Sequence, residues 1–444
     1  MNKEKKNFFV SFLFHLFLLT PAILLPGCSS KAPNSGKILL RWSGYGAAGY
    51  DQWRAEDSKR FEQLHPGIKV KYEPVHQQYQ PKILTQLASG TAPDVFFCAE
   101  LQTYIEKGAL VDISEWVKGD KDYFDTFFPG LLEDHTFNGR VYALHQNVAV
   151  GVLYYNKDLF DKERLAYPDE TWTWSDLLRT AQRLTKRDQK GKVIQYGIVT
   201  PLEYQQMMLY IFQNGGRLWS EDGNRCVVNS PQAKEALTFW SDLIFKYQVA
   251  PSKYAMTTAA GAEYSGYSEI FFMGKAAMYL GGSYEVVSLH KHRMNWGVTL
   301  MPVSKKGVKR LSPRIYNSFG VWTGSKHPKE AYELMKFMTT PEVVKRLVAT
   351  GDSLPLHTKG ADMDLFLSDP IRPEPARKVM LTALKSSKSL YRLLVNLKVS
   401  YITQEKVLKE EFENLVFGKS SVPDVLRKIE ARLNELLKKK EREA

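Results

Sequence analysis

Lys37-Ile-Leu-Leu-Arg-Trp42, Ile68-Lys-Val-Lys-Tyr-Glu73 and Asp94-Val-Phe-Phe-Cys98 are three short extended runs. Two stretches with helical spacing separate them. Tyr50 to His65 sets Trp53, Phe61 and Leu64 among charges and stops at Pro66-Gly67, and Gln80 to Ser89 stops at Gly90. The β-α-β-α-β order predicts an α/β fold with a mostly parallel sheet and helices on both faces. Such sheets take ligands at the carboxyl ends of their strands. Here those ends are Ser43 to Gly49, Pro74 to Tyr79 and Ala99 to Leu101.

Working outward, Val141 to Tyr155 is a long extended run, long enough to leave one domain and enter another. Trp172 to Lys186 reads as a helix opened by Thr173, Gln195 to Thr200 as a strand, and Glu203 to Gln213 as a helix ending at Asn214-Gly215-Gly216. Ser230 to Tyr247 is a helix with a serine cap and Pro231 at its first position. Trp296 to Pro302 and Phe319 to Gly324 read as strands, and His327 to Met338 and Pro341 to Thr350 as helices. After Gly351 the chain is mainly helical, with Tyr391 to Phe417 and Val422 to Lys440 the longest pieces.

The chain has 444 residues, 44% hydrophobic and 12% aromatic, enough for two or three domains with large cores. Its first residues stand apart from the fold. A basic start at Lys3, Lys5 and Lys6 precedes an apolar run from Phe8 to Leu25 and then Leu25-Pro-Gly-Cys28. These are the regions of a signal peptide, residues 1–27. Leu-x-Gly-Cys resembles a bacterial lipobox, which makes Cys28 the lipidated new N-terminus and residues 28–36 a polar tether. An uncleaved membrane anchor is the alternative. No other stretch approaches the roughly 20 apolar residues of a membrane span. Loss of residues 1–27 removes three lysines and one glutamate, so the net charge falls from +13 to +11. On an exported chain this argues for a solvated basic surface near anionic lipid or wall polymer rather than for nucleic acid. Cys98 and Cys226 are too far apart in sequence to be a disulfide scaffold and read as buried thiols. There is no Cys/His cluster at metal spacing.

Gly44-Tyr-Gly46-Ala-Ala-Gly49 is a literal G-x-G-x-x-G after a strand, with Glu73 closing the next strand. The spacing fits a dinucleotide site. Export and the bulky Tyr45 and Tyr50 argue instead for a plain glycine loop, or for one offering Ser43 and Tyr45 to another ligand. Tyr154 and Tyr155 are strand neighbours and point to opposite faces, so they cannot easily share a metal. No carboxylate pair among Glu73, Glu100, Glu263 and Glu285 is marked for glycoside cleavage. No cofactor is called for. In Gly274-Lys-Ala-Ala-Met-Tyr-Leu-Gly-Gly-Ser-Tyr284-Glu-Val-Val287, a short strand meets two glycines and then an aromatic. Alone this reads as a strand, a turn and a core tyrosine. With a cleft to face, Tyr284 is presented to it.

Gln86-Leu-Ala-Ser-Gly-Thr-Ala-Pro-Asp-Val-Phe97, Leu153-Tyr-Tyr-Asn-Lys-Asp-Leu-Phe160, Thr171-Trp-Thr-Trp-Ser-Asp-Leu177, Gly274-Lys-Ala-Ala-Met278 with Gly282-Ser-Tyr284, and Ser325-Lys-His-Pro-Lys-Glu-Ala331 follow one another in order behind the lipobox. Together they resemble the family-1 extracellular solute-binding proteins of ABC sugar importers, maltose-binding proteins among them. The resemblance implies a periplasmic-binding-protein type II fold, two α/β lobes joined by three hinge crossings near Leu144 to Val150, Leu280 to Tyr284 and Gly351 to His357. Residues 37–146 with 284–350 then form one lobe, and 147–283 with 351–444 the other. Tyr284 stands where the family usually has tryptophan, and Tyr391 near a second stacking aromatic. Glu100 and Asn147 fall where polar residues meet sugar hydroxyls. With the rim loops, the candidate ligand-binding set is Ser43, Tyr45, Glu73, Tyr79, Glu100, Asn147, Trp219, Tyr284, Ser318 and Tyr391. The chemistry agrees, because a pyranose offers apolar C–H faces to aromatics and a rim of hydroxyls to amides and carboxylates. The expected molecule is a monomeric, lipid-anchored, extracytoplasmic receptor that passes a carbohydrate to a membrane permease, without nucleic acid, metal or catalysis. A receptor for glycerol phosphate or a polyamine, or a secreted carbohydrate-active enzyme, are the alternatives.

Overall fold

The computed structural model describes residues 36–46, 50–98, 100–259 and 266–443. The leader and Cys28 lie outside them. From Ile38 onward the chain forms one compact unit. Among the described residues no helix is long and apolar enough to cross a membrane.

Two sheets share one strand. In the first, Ile68–Tyr72, Ile38–Ser43 and Val95–Phe97 lie parallel, as the βαβαβ pattern requires. Pro313–Val321 then runs antiparallel to Val95–Phe97 and to the first half of Leu144–Asn156. In the second sheet, the far half of Leu144–Asn156 pairs antiparallel with Ala276–Gly282, which lies parallel to Val193–Val199. The long strand Leu144–Asn156 changes partners between Val150, opposite Arg314, and Gly151, opposite Gly282. Ile38–Ser43 and Val95–Phe97 therefore aim their carboxyl ends at the same gap as Val193–Val199 and Ala276–Gly282 do from the other side. The topology thus makes a cleft between two sheets.

Local chemistry fixes the helices around them. Thr173 and Asp176 form a reciprocal capping box on Trp174–Leu184, and Ser230 caps Pro231–Ile244 with Pro231 at the first turn. One core, with Trp174, Met207, Trp240 and Leu433, lies under the second sheet and the C-terminal helices. Another gathers Leu40, Trp42, Phe61, Phe319, Tyr154 and Met380. Tyr154 and Tyr155 enter different cores, as strand alternation demands. Cys98 and Cys226 are buried and unpaired.

Several expectations shift. The strand expected at Phe319 starts six residues earlier, at Pro313, because proline is tolerated at a strand's first residue. The single helix expected over Tyr391 to Phe417 is two, Leu390–Leu394 and Tyr401–Val416. Trp296–Thr299, placed by sequence with the first lobe, pairs instead with Leu153–Asn156 of the second sheet. Helix Ala361–Ser368, placed beyond the third crossing, packs on helix Pro341–Ala349 before it.

A buried polar cluster ties the return strand Pro313–Val321 to the rest. The Arg314 guanidinium donates to Asp134 Oδ2 at 2.8 Å, to Gly130 O at 2.6 Å, and to Ser387 Oγ and O at 2.9 and 3.0 Å. Asp134 Oδ2 lies 3.4 Å from His145 Nε2, and His145 Nδ1 is 2.9 Å from His135 Nε2. Burial holds both imidazoles well below their usual range, with the neighbouring imidazole adding for His135 and the Arg314 guanidinium for both. The folded state thus keeps two histidines neutral that the unfolded chain protonates below about pH 6.5. Stability is full above that pH and falls as pH drops through it, by up to about 1.4 kcal/mol per pH unit per histidine. Burial raises the Asp134 carboxyl, so this group works in the opposite sense at lower pH. Denaturant melts between pH 7.5 and 5 should show the loss, and His135→Gln with His145→Gln should flatten it. A wild-type profile flat over that range would contradict neutral buried histidines.

Candidate functional site

Two cavities open in the gap between the sheets and share Tyr284, Ile315 and Tyr316. The first, 440 Å³, is walled by Tyr45, Tyr50, Phe97, Gln146, Asn147 and Asp352 among others. The second, 500 Å³, is walled by Glu203, Gln206, Tyr267, Tyr279, Tyr391 and Tyr401 among others. Both volumes lie in the range of small-ligand sites. Tyrosines, amides and carboxylates all contribute to the walls.

The glycine pair explains how Tyr284 reaches this junction. The strand does not turn at the glycines, as expected from sequence, but runs on to Gly282. A Cβ on Gly282 would stand 2.2 Å from Tyr284 Cε1, and one on Gly281 2.4 Å from Tyr279 Cε1. Each glycine clears the space over which one tyrosine ring lies. Tyr284 sits in the middle of the 3-10 turn Ser283–Glu285, is 39% exposed, and lines both cavities. Its hydroxyl is crowded, and burial first, then Glu285 and Glu203, push its pKa up to about 12. It is therefore a neutral donor and acceptor at physiological pH.

On the opposite wall, the register slips between Asn317 and Ser318 against Asn147 and His145, leaving Gln146 in a bulge. Asn147 Oδ1 accepts from Asn317 N at 2.8 Å, which orients the amide in the cavity wall. Tyr316 stands edge-on to His135 and His145 and is 3.0 Å from Ser389 Oγ. The glycine loop is tied down by Arg54, which donates to Tyr45 O at 2.5 Å and Tyr72 OH at 3.0 Å. Tyr45, 52% exposed, lines the first cavity. Ala47, Ala48 and Gly49 lie outside the described residues.

Of the ten candidates, Tyr45, Asn147, Tyr284 and Tyr391 line the two cavities. Tyr391 also accepts from Gln102 N at 2.5 Å. The others serve the scaffold. Ser43 is buried and donates to Glu73 O, and Ser318 is buried and donates to Cys98 O. Tyr79 donates to Ser43 O and accepts from Phe97 N, pinning two strands. Glu73 is engaged by Arg41 and Lys71. Glu100 accepts from Gln80, its carboxyl raised by burial and by Glu405, outside both cavity walls. Trp219 packs in the core of the second sheet, with its Nε1 donating to Leu394 O at 2.8 Å. Tyr316, Gln146, Tyr279 and Tyr401 were not among the candidates. An extended reading from Pro313 would have presented Tyr316, but Arg314 and Asn317 disguise that strand as loop.

The fold is a two-sheet α/β architecture with a cleft between the carboxyl ends of opposed strands. Residues 44–345 match the family model of the bacterial extracellular solute-binding proteins, and the chain belongs to that family. An uncharacterized lipoprotein in the oleD 5′ region of Streptomyces antibioticus is 26% identical over 399 residues, 82% of this chain and 83% of its own. The maltotriose-binding protein of Pyrococcus abyssi is 23% identical over 69% of this chain and 64% of its own length. Among solved structures, the ABC substrate-binding protein Lmo0181 of Listeria monocytogenes, in complex with cycloalternan, superposes with a TM-score of 0.76 at 25% identity, covering 90% of this chain and 98% of its own. Maltose-bound MalE3 of T. maritima gives 0.70 at 22%, covering 90% and 100%. The family and these neighbours are binding proteins.

A half-exposed ring and a core ring respond differently to truncation. Tyr284→Ala should change ligand-free stability by less than about 1 kcal/mol. Tyr154→Ala, at a fully buried ring, should lose about 3–5 kcal/mol. Equal losses in chemical denaturation would place Tyr284 in the core.

Proposed function

We propose that the chain is the extracytoplasmic substrate-binding component of an ABC importer, capturing a sugar or oligosaccharide in the cleft and delivering it to a membrane permease. The observation that carries this reading is Tyr284 at the junction of two tyrosine- and amide-lined cavities. A stacked ring face that buries about 50 Å² contributes roughly 1–1.5 kcal/mol. Each well-made hydrogen bond adds about 1 kcal/mol. Several of each reach the roughly −8 kcal/mol of a micromolar complex. Two cavities of 440 and 500 Å³ that share Tyr284, Ile315 and Tyr316 have room for more than one ring. Ligand bridging the sheets favours a closed arrangement that a permease recognises.

A melting screen against a carbohydrate panel tests the reading. A true ligand at 100 times its Kd stabilises by about 2.7 kcal/mol. Tyr284→Ala should weaken that ligand on the order of tenfold to a hundredfold, the stacking loss plus a hydroxyl contact. Recovery of the bound oligosaccharide intact supports a receptor, and recovery of cleaved product supports an enzyme. A panel without any stabilising sugar counts against the carbohydrate reading.

We further infer that Cys28 carries a lipid, on the strength of Leu25-Pro-Gly-Cys28 behind its apolar run. Cys28→Ser should release the protein from membranes or block its processing in cell fractionation. A variant that is cleaved at the same place and stays membrane-bound contradicts the anchor.

A further inference from the structure

A cavity of 590 Å³ lies apart from the cleft, between the turn that follows helix Tyr204–Gln213, the segment entering Pro313–Val321, and helix Leu390–Leu394. Arg217, Lys309, Arg310, Lys388 and Arg392 line it, and no carboxylate does. Elsewhere many cations sit against a neighbouring acid, as Lys118 does with Glu115 and Lys378 with Glu374. Here two guanidinium groups, Arg310 and Arg392, are held in place without an ion pair, while Arg217 is paired with Glu221. Arg310 donates to the backbone carbonyls of Met301 and Glu170. Arg392 lies 4.4 Å over the Phe137 ring, and Arg217 forms an exposed ion pair with Glu221 at 2.6 Å. Among the described residues, Lys309 and Lys388 make no ion pair. The floor is apolar, with Leu218 and Trp219 buried and Leu393 38% exposed at the rim.

Four like charges without an ion pair around one concavity raise its potential and concentrate anions there. Guanidinium groups already fixed by other bonds lose little freedom when they take up an anion. The geometry points to a binding site for phosphate-bearing anions, the chemistry shared by a phospholipid headgroup and a soluble phosphate ester. A phosphate group presents several acceptor oxygens and up to two charges, so it engages several of these cations at once, whereas one carboxylate saturates a single guanidinium fork. The apolar floor and exposed Leu393 take the carbon stem of such a ligand. The lipid source rests on the membrane-anchored reading above, and the soluble source does not.

The test uses residues 29–444, which contain the whole compact unit, and two probes. One is inorganic phosphate in calorimetric titration. The other is flotation with phosphatidylcholine vesicles, with and without phosphatidylglycerol. Saturable binding to either probe is expected. Lys309→Glu with Lys388→Glu should weaken it on the order of tenfold or more. Lys438→Glu with Lys440→Glu, on the C-terminal helix, should not. Should the charge reversal disturb melting, Lys309→Ala with Lys388→Ala replaces it. Flotation without phosphate binding assigns the site to headgroups, and binding of both assigns it to phosphate esters at large. The proposal is overturned by no binding to either probe, by equal loss in the C-terminal control, by no loss in the Lys309/Lys388 variants, or by tighter binding of polyglutamate than of either phosphate probe. Loss of vesicle binding alone refutes the membrane source without touching the sugar-binding reading, which the melting screen tests separately.

Discussion

Between Val148 and Val150 the long strand is paired on one edge only. Tyr316 and Arg314 face it from the return strand, while its other edge is met by side chains. Ser353 Oγ accepts from Val148 N at 3.1 Å, and Ser283 Oγ accepts from Val150 N at 3.2 Å. Leu354 N adds a bond to Val148 O at 2.7 Å. One residue later the ladder to Gly282 begins. The segments at residues 283 and 353–354 therefore meet the long strand at one place, and they do so chiefly through hydroxyls. A buried strand edge must find partners. Serine hydroxyls provide them without committing the backbone to a continuous ladder, so the two sheets stay distinct on either side of the gap.

The cleft depends on this junction. If the Ala276–Gly282 strand continued past Gly282, it would cover the edge that Ser283 now serves, and Tyr284 would be drawn into a sheet. Instead the 3-10 turn at Ser283–Glu285 lifts Tyr284 beside the return strand's Ile315 and Tyr316. Arg314, one residue before Ile315, anchors that strand to Asp134, Gly130 and Ser387. The aromatic wall of the site and the buried polar cluster thus share one strand. An Arg314 variant would leave Asp134 with no guanidinium partner, a costly state for a buried carboxylate.

The parallel order of the first three strands and most of the helix termini were legible in the sequence, and the cleft in the family resemblance, whereas the antiparallel return strand that makes the sheet mixed was not. Hydrophobic periodicity and caps such as Thr173 and Ser230 are local signals, and they survive folding because neighbouring residues set them. The five motifs that resemble solute-binding proteins fell within or beside the elements described, and the family match covers the same span. A glycine pair announces close approach, and Tyr284 beyond it lines both cavities, although the chain does not turn at the glycines. The glycines remain in the strand and make room for rings.

What the sequence by itself determined is therefore the alternation of strands and helices, the parallel order of the first three strands, and a tyrosine after two glycines. The tertiary structure alone decided which polar residues at the strand ends face the cleft. Ser43, Tyr79 and Ser318 have the right chemistry at the right rim, yet each is consumed by a backbone carbonyl that needed a donor. Gln146 and Tyr316 have no distinguishing motif, yet both line the first cavity, Gln146 from the one-residue slip opposite Asn317 and Tyr316 from its pairing with Val148. Register and competing buried backbone groups are non-local quantities, set by strands some 170 residues apart as at Asn147 and Asn317, and no local pattern encodes them.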